Sequence, residues 1–395
     1  FRTLQEKLDA LNSCIQEGLV GIRLIKSFVR GDYEEMRFEK RNQQLKEANL
    51  TAMKTMILYT PLMTLALNIT TVVVVWSGGN MIVAGNMQVG DLTAFTNYIV
   101  QIMSSLTMLS IAFLNWARAI ASFRRVGEVL DEKIDLTDEN AKHKDRAVCE
   151  GSVEFQNVSF RYYKNSPEWV IENISFKLEA GKTLGIIGST GSGKSTLVSM
   201  IPRLYDTDEG TVLVDGINVR DYGLKPLREG IGMVLQNNTL FSGSIIENLK
   251  WGDEHADEKA VRKAAQNAQA AGFIDSFKDG YRTRLEQSGN NVSGGQKQRL
   301  CIARALLKCP KILILDDSTS AVDTATERAI REALHSEYKD MTKIIIAQRI
   351  RSVMDADEIL VLDNGKTAGF GTHEQLLADC PVYREIYDVQ NGREE

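Results

Sequence analysis

Between Lys54 and Asp91 the chain carries no charged side chain, and from Leu92 to Ala117 it again carries none. A helix crosses the hydrocarbon core of a bilayer with about 20 apolar residues, so each run is long enough to span one. The two runs predict membrane helices over about 56–84 and 92–117, joined by the short turn GNMQVGD. Lys and Arg crowd the outer flanks: Arg37, Lys40, Arg41, Lys46 and Lys54 come before the first span, and Arg118, Arg124 and Arg125 follow the second. The turn has none, so both outer ends are expected on the cytoplasmic side. Two buried helices of a soluble core would rarely need two such stretches back to back. Pro61, Asn68, Thr70, Thr71, Gln101, Ser104 and Ser105 interrupt the apolar pattern and are expected to face other helices or a water-filled path.

The 395 residues, 25% charged and 43% hydrophobic, suffice for two domains with cores of their own. A net charge of -5 gives no reason to expect nucleic acid as a partner. Cys14, Cys149, Cys301, Cys309 and Cys380 show no metal-binding spacing and are expected to be reduced thiols. Residues 1–54 read as long polar helices, 118–130 as a cytoplasmic extension and the acidic stretch 131–150 as a linker. From 151 to 395 the pattern becomes that of a soluble domain. Strands of antiparallel type (VEFQNVSF, GTVLVDGINV) come first, and alternating strands and helices follow.

Within that half, TLGIIGSTGSGKSTLVSMI fits the P-loop pattern GxxxxGK[ST], with a strand before the glycines and a helix after them. The backbone of Gly188, Ser189, Thr190, Gly191, Ser192 and Gly193 can converge on phosphates, with Thr196 just beyond. Lys194 can neutralise their charge, and the Ser195 hydroxyl can ligate Mg2+. A second metal ligand should close a buried hydrophobic strand, and ILILD does so at Asp316. Ser293, Gly294, Gly295 and Gln296 open another helix and offer amides, a hydroxyl and a helix dipole to an anion.

P-loop, SGGQ and terminal aspartate in this order resemble the ATP-binding cassette (ABC) transporters, and specifically exporter half-transporters in which a membrane domain precedes the nucleotide-binding domain. The resemblance covers nearly the whole chain. It implies a multi-domain fold: an all-α transmembrane domain, here the last two of six spans, then an α/β P-loop nucleotide-binding domain with an antiparallel β subdomain and a helical signature subdomain. It further implies that Tyr162 stacks on adenine, that Gln236 reaches the metal and the γ-phosphate, and that Asp323 is the D-loop aspartate. The cofactors implied are ATP and Mg2+, the latter on Ser195, Gln236 and Asp316. Two such domains pair head to tail, so each ATP lies between one chain's P-loop and the other's SGGQ. Glu17–Phe28 resembles the coupling helix of a cytoplasmic loop. The expected setting is a plasma or inner membrane, with the nucleotide domain in the cytoplasm.

Two positions depart from the family. The aspartate that binds metal is usually followed by a glutamate that polarises the attacking water, whereas here Asp317 follows, with about 1.5 Å less reach. A base must come within roughly 2.6–3.2 Å of its proton. Gln348 stands where the family has its switch histidine. Glu286, Gln287 and Val292 are milder departures around the signature. The parts that bind nucleotide remain while those that hydrolyse it are altered. This predicts one subunit of a heterodimeric exporter of the multidrug or lipid type, whose own site is impaired and whose SGGQ completes a competent site on a different half-transporter. The alternatives are a homodimeric, slowly hydrolysing ATP-gated regulator or channel and a soluble ATPase of the chromosome-maintenance type, against which the charge-free spans argue. No residue names the cargo.

Overall fold

The computed structural model describes residues 2–318 and 322–392. The chain divides into two compact units, with the boundary in sequence between Lys133 and Ile134. The first is wholly helical: α1 (Arg2–Val20), α2 (Ile22–Ser27), α3 (Gly31–Val83) and α4 (Val89–Leu130). At 1.5 Å per residue, α3 is about 80 Å long. Its polar half packs on α1, where Arg37 donates to the Glu17 carboxylate at 2.5 Å. Its apolar half holds the window Pro61–Val83, with a mean hydropathy of 1.6 and only 6% of its residues buried. A soluble core helix would bury such a stripe, so this one is built to meet lipid or other membrane helices.

The expected second span, 92–117, lies wholly within α4. Helices α3 and α4 meet near the turn, where Gly78 lets the Leu92 side chain approach so closely that a Cβ would collide with it. Small residues admit such approach between membrane helices. The hydroxyls of Thr70, Thr71, Ser104 and Ser105 each donate to a carbonyl one turn back in their own helix. They are thus satisfied without an outside partner.

The second unit opens with the antiparallel strands β1 (Val153–Phe160) and β2 (Ile171–Leu178), then β3 (Thr183–Gly188) and α5 (Lys194–Ser199). Strands β4 (Glu209–Val214) and β5 (Ile217–Asn218) complete a four-stranded sheet in the order β2-β1-β4-β5. After α6 (Leu224–Glu229) and β6 (Ile231–Val234) comes a helical segment that starts with β7 (Gly243–Ser244), α7 (Ile245–Lys250), α8 (Glu258–Asn267) and α9 (Ala271–Ser276). It ends with β8 (Arg284–Leu285), which pairs with β7, and α10 (Gly294–Leu307). Then β9 (Ile312–Asp316), α11 (Thr324–Glu337), β10 (Thr342–Ile346), β11 (Glu358–Asp363), β12 (Lys366–Gly371), α12 (His373–Asp379) and α13 (Pro381–Gln390) finish the unit. The larger sheet has the order β12-β11-β3-β10-β9-β6, parallel except at β12. All five residues of β9 are buried, as a central parallel strand covered on both faces requires. The main core lies between the two sheets, with Phe155 stacked on Phe176 at 4.7 Å, and a second core lies under α8 and α10.

The stretch expected as a linker, 131–150, is built into the second unit from Ile134 onward. The Asp215 carboxylate accepts from four successive backbone N–H groups, those of Cys149, Glu150, Gly151 and Ser152, at 2.7–3.1 Å. Ala141 and Val148 are buried, and His143 bridges to Tyr222. The sequence gives no periodicity here because two isolated apolar residues and one distant carboxylate do the fastening. Replacing Asp215 with Ala strands these four donors and should cost about 2–4 kcal/mol, since a hydrogen bond to a charged group contributes ~1.5–3 kcal/mol. The check is the denaturation midpoint of the full chain in detergent, with Asp215→Asn expected to retain part of the stability.

Candidate functional site

The register of the parallel ladder places the site. Ile346 at the end of β10 pairs with Ile186 on one side and Asp316 on the other, so the carboxyl ends of β3, β10 and β9 lie abreast. The loop after β3 carries the P-loop, Asp317 follows β9, and Gln348 follows β10. Together with Gln236, which follows β6, they line one cleft of about 200 Å3. Thr190, Gly191, Gly193, Lys194, Ser195, Thr196, Asp316, Asp317, Gln236 and Gln348 were all singled out in the sequence. Val170 and Ile346 line the cleft too and were not, because an apolar wall residue leaves no motif.

Backbone geometry explains the glycines. Gly188 has φ 155°, and a Cβ there would strike the Leu362 carbonyl oxygen. Gly193, at φ 89°, would place a Cβ 2.6 Å from Ile171 Cγ2. Both positions exclude side chains on conformation and on space. Gly191 also has a positive φ, yet open space beside it.

Lys194 folds back over the loop and donates to the Gly188 carbonyl at 2.8 Å and to the Ser189 carbonyl at 2.6 Å. Burial pulls its ammonium down from the usual lysine value, opposed by the charges of Asp316 and Asp317. The Ser195 hydroxyl donates to Asp316 Oδ1 at 3.0 Å. Asp316 is 3% exposed, and burial raises its carboxyl; Ser195 opposes the rise and Asp317 adds to it. Hydroxyl, carboxylate and the nearby Gln236 amide form an oxygen-only donor set of the kind Mg2+ takes.

Asp317 has φ 45°, a left-handed conformation that aspartate tolerates better than most residues. Its N–H donates to the Ile346 carbonyl at 3.1 Å, and its Oδ2 accepts from Gln348 Nε2 at 2.6 Å. Burial raises the Asp317 carboxyl, while the Gln348 hydrogen bond and Lys194 oppose that rise. The Gln348 loop is itself fastened, since Gln390 of α13 donates to the Gln348 carbonyl and accepts from the Ile350 N–H, both at 2.8 Å. Sequence reasoning missed Gln390, which belongs to no motif and lies about forty residues downstream.

Other expected residues lie outside the cleft. The Tyr162 ring is half exposed, edge-on to Phe160 and Tyr205, and its hydroxyl shares a hydrogen bond of 2.9 Å with Thr196. Ser293 caps α10, and with Gln296 it forms a reciprocal capping box. That leaves the exposed Gly294 at the amino end of a 14-residue helix. Asp323 caps α11 by accepting from the Thr326 N–H and hydroxyl, which holds its carboxyl below the usual range. Val292 packs against the second core, and Glu286 is exposed.

The raised carboxyl of Asp316 carries a stability consequence. The unfolded chain gives up this proton at lower pH than the folded one, so native stability falls as pH rises through the folded value. Asp316→Asn should therefore raise the thermal midpoint of the nucleotide-free protein at pH 7. That gain should vanish as pH falls into the ordinary carboxylate range.

Residues 171–320 match the family model described as ABC transporter, and residues 1–106 match the one described as ABC transporter transmembrane region. An uncharacterized ABC transporter ATP-binding protein of Bacillus subtilis (strain 168), YfiB, is 42% identical over 394 residues, which take in 100% of this chain and 68% of that protein. ABC transporter B family member 4 of Dictyostelium discoideum is 34% identical over 99% of this chain and 51% of its own length. A bacterial Atm1-family ABC exporter solved with ATP bound superposes with a TM-score of 0.86 at 30% identity, covering 98% of this chain and 68% of that one.

Proposed function

Because this chain belongs to the ABC transporter family, with a membrane region followed by an ATP-binding domain, we propose that it is the hydrolytically impaired subunit of a heterodimeric exporter. It is a membrane ABC exporter that uses ATP for transport. The observation that carries the impaired-subunit proposal is the 2.6 Å hydrogen bond between Gln348 and Asp317, the two positions that depart from the family at the γ-phosphate.

The P-loop amides and Lys194 bind the phosphates, Lys194 exchanging its two carbonyl partners for phosphate oxygens. Tyr162 stacks on the adenine. Ser195, Gln236 and Asp316 would hold Mg2+, which neutralises phosphate charge when bound. These contacts serve the ground state as well as the transition state, so they need no base. Hydrolysis does need one. The Asp317 carboxylate is a methylene short, and one of its oxygens is occupied by an amide that can neither take up nor deliver a proton as an imidazole does. Gln390 holds the Gln348 loop in place and keeps the pair together.

ATP bound at this chain's P-loop then closes the dimer, with Asp323 at the junction, while Ser293, Gly294, Gly295 and Gln296 complete the partner's site. That partner is a second half-transporter bearing the glutamate and the histidine. The exposed Val20, Leu24 and Phe28 give Glu17–Phe28 an apolar face through which nucleotide state reaches the spans. The pair sits in a plasma or inner membrane with its nucleotide domains cytoplasmic.

In the assembled pair, Lys194→Ala should leave most of the ATPase activity, while the same change in the partner's P-loop removes it. Equal loss from either change would refute the asymmetry. Restoring the family residues with Asp317→Glu and Gln348→His should raise turnover at this chain's own site by about 10²–10⁴, the worth of a placed base. Single-turnover hydrolysis with the partner's P-loop disabled reads that gain.

A further inference from the structure

Tyr162 lies two residues beyond β1 of the smaller sheet, whereas Thr196 lies in α5, which follows the P-loop. Their hydroxyls nevertheless share a hydrogen bond of 2.9 Å. Thr196 is 6% exposed and lines the nucleotide cleft, so the outer end of a half-exposed ring is tied to the wall of the phosphate cradle. The chain that leaves α5 holds the same ring from the side. Tyr205 stands at 85° to it with centroids 5.2 Å apart, and Phe160 closes the cluster at 5.1 Å from Tyr162 and 5.5 Å from Tyr205. Arg203, at φ 51°, grips Asp206 through two hydrogen bonds of 2.8 and 3.1 Å, which fixes the bend that carries Tyr205. Two residues further on, the Asp208 carboxylate accepts from the Arg161 N–H at 2.9 Å and sets the backbone just before Tyr162.

A half-exposed aromatic side chain swings about its torsions unless its far end is held. A ligand that must immobilise such a side chain loses about two- to tenfold in affinity. We propose that the Tyr162 hydroxyl and Thr196 are positioning groups for the nucleotide: their bond fixes the base shelf at a set distance from the phosphate cradle before ATP arrives. The proposal rests on the reading of Tyr162 as the residue that stacks on adenine and adds what holds it there. The hydroxyl contributes nothing to stacking itself, which needs only the ring face. It acts through Thr196, so its effect belongs to ligands that carry a base and is absent for the phosphates alone.

The test compares Mg2+-ATP with Mg2+-tripolyphosphate, which has the phosphates and no base. Affinities are read from the rise of the thermal midpoint of the full chain in detergent as each is titrated. Tyr162→Ala removes shelf and hydroxyl together and should weaken ATP about tenfold or more, leaving tripolyphosphate unchanged. Tyr162→Phe keeps the ring and should weaken ATP about two- to tenfold, again without touching tripolyphosphate. Thr196→Val should lower the ratio of ATP to tripolyphosphate affinity by the same factor, and Thr196→Ser should keep it at the wild-type value. The double variant Tyr162→Phe/Thr196→Val should show a ratio no lower than either single variant, because both changes remove one bond. A wild-type ratio in Tyr162→Ala would refute adenine stacking and the proposal with it. A loss in Tyr162→Ala beside a wild-type ratio in Tyr162→Phe leaves stacking standing and overturns the proposal alone. Equal weakening of both ligands in Tyr162→Phe overturns it too, as do losses that multiply in the double variant. Should the buried Thr196→Val fail to fold, Tyr162→Phe decides the matter.

Discussion

The whole nucleotide cleft depends on one ladder register. Ile346 lies level with Ile186 and with Asp316, so three loops that are far apart in sequence leave the sheet side by side. Nothing in the loop after β3 would by itself bring Asp316 or Gln348 beside it. Parallel pairing does this, because every strand ends at the same edge and its loop projects the same way. A slip of one residue would turn Asp316 from the cleft into the sheet's other face, which explains why the strand before it is apolar throughout and buried on both sides.

Against that frame, the chemistry of the cleft is a contest between burial and neutralisation. Burial raises the carboxyls of Asp316 and Asp317, Asp317 adds to the rise at Asp316, and Lys194 opposes the rise at each. The hydroxyl of Ser195 and the amide of Gln348 each satisfy one carboxylate with a neutral donor. Neutral donors ease desolvation without supplying charge, so the two carboxylates remain ones that a divalent cation would suit.

Much of this was legible in the sequence, and the reasons are physical. Glycines forced by positive φ, a strand too apolar to be anything but central, and charge-free runs that only lipid accommodates all leave marks at fixed spacing. What stayed hidden were contacts between residues far apart in the chain. Asp215 fastens Cys149–Ser152 across more than sixty residues, and Gln390 grips the Gln348 loop across about forty. Neither has a periodicity or a neighbour that announces it. Ser293 was legible at a helix start and Asp323 only through the family resemblance, and the structure adds that both spend their side chains on capping.

The fold-back of Lys194 onto the Gly188 and Ser189 carbonyls has an energetic meaning of its own. The loop is hydrogen-bonded to its own cation, so a phosphate bound there would trade with those contacts rather than add to a bare cradle. Part of the heat released by each new lysine–phosphate contact is returned in breaking the old ones. Phosphate uptake there would be governed by a difference between two well-bonded states.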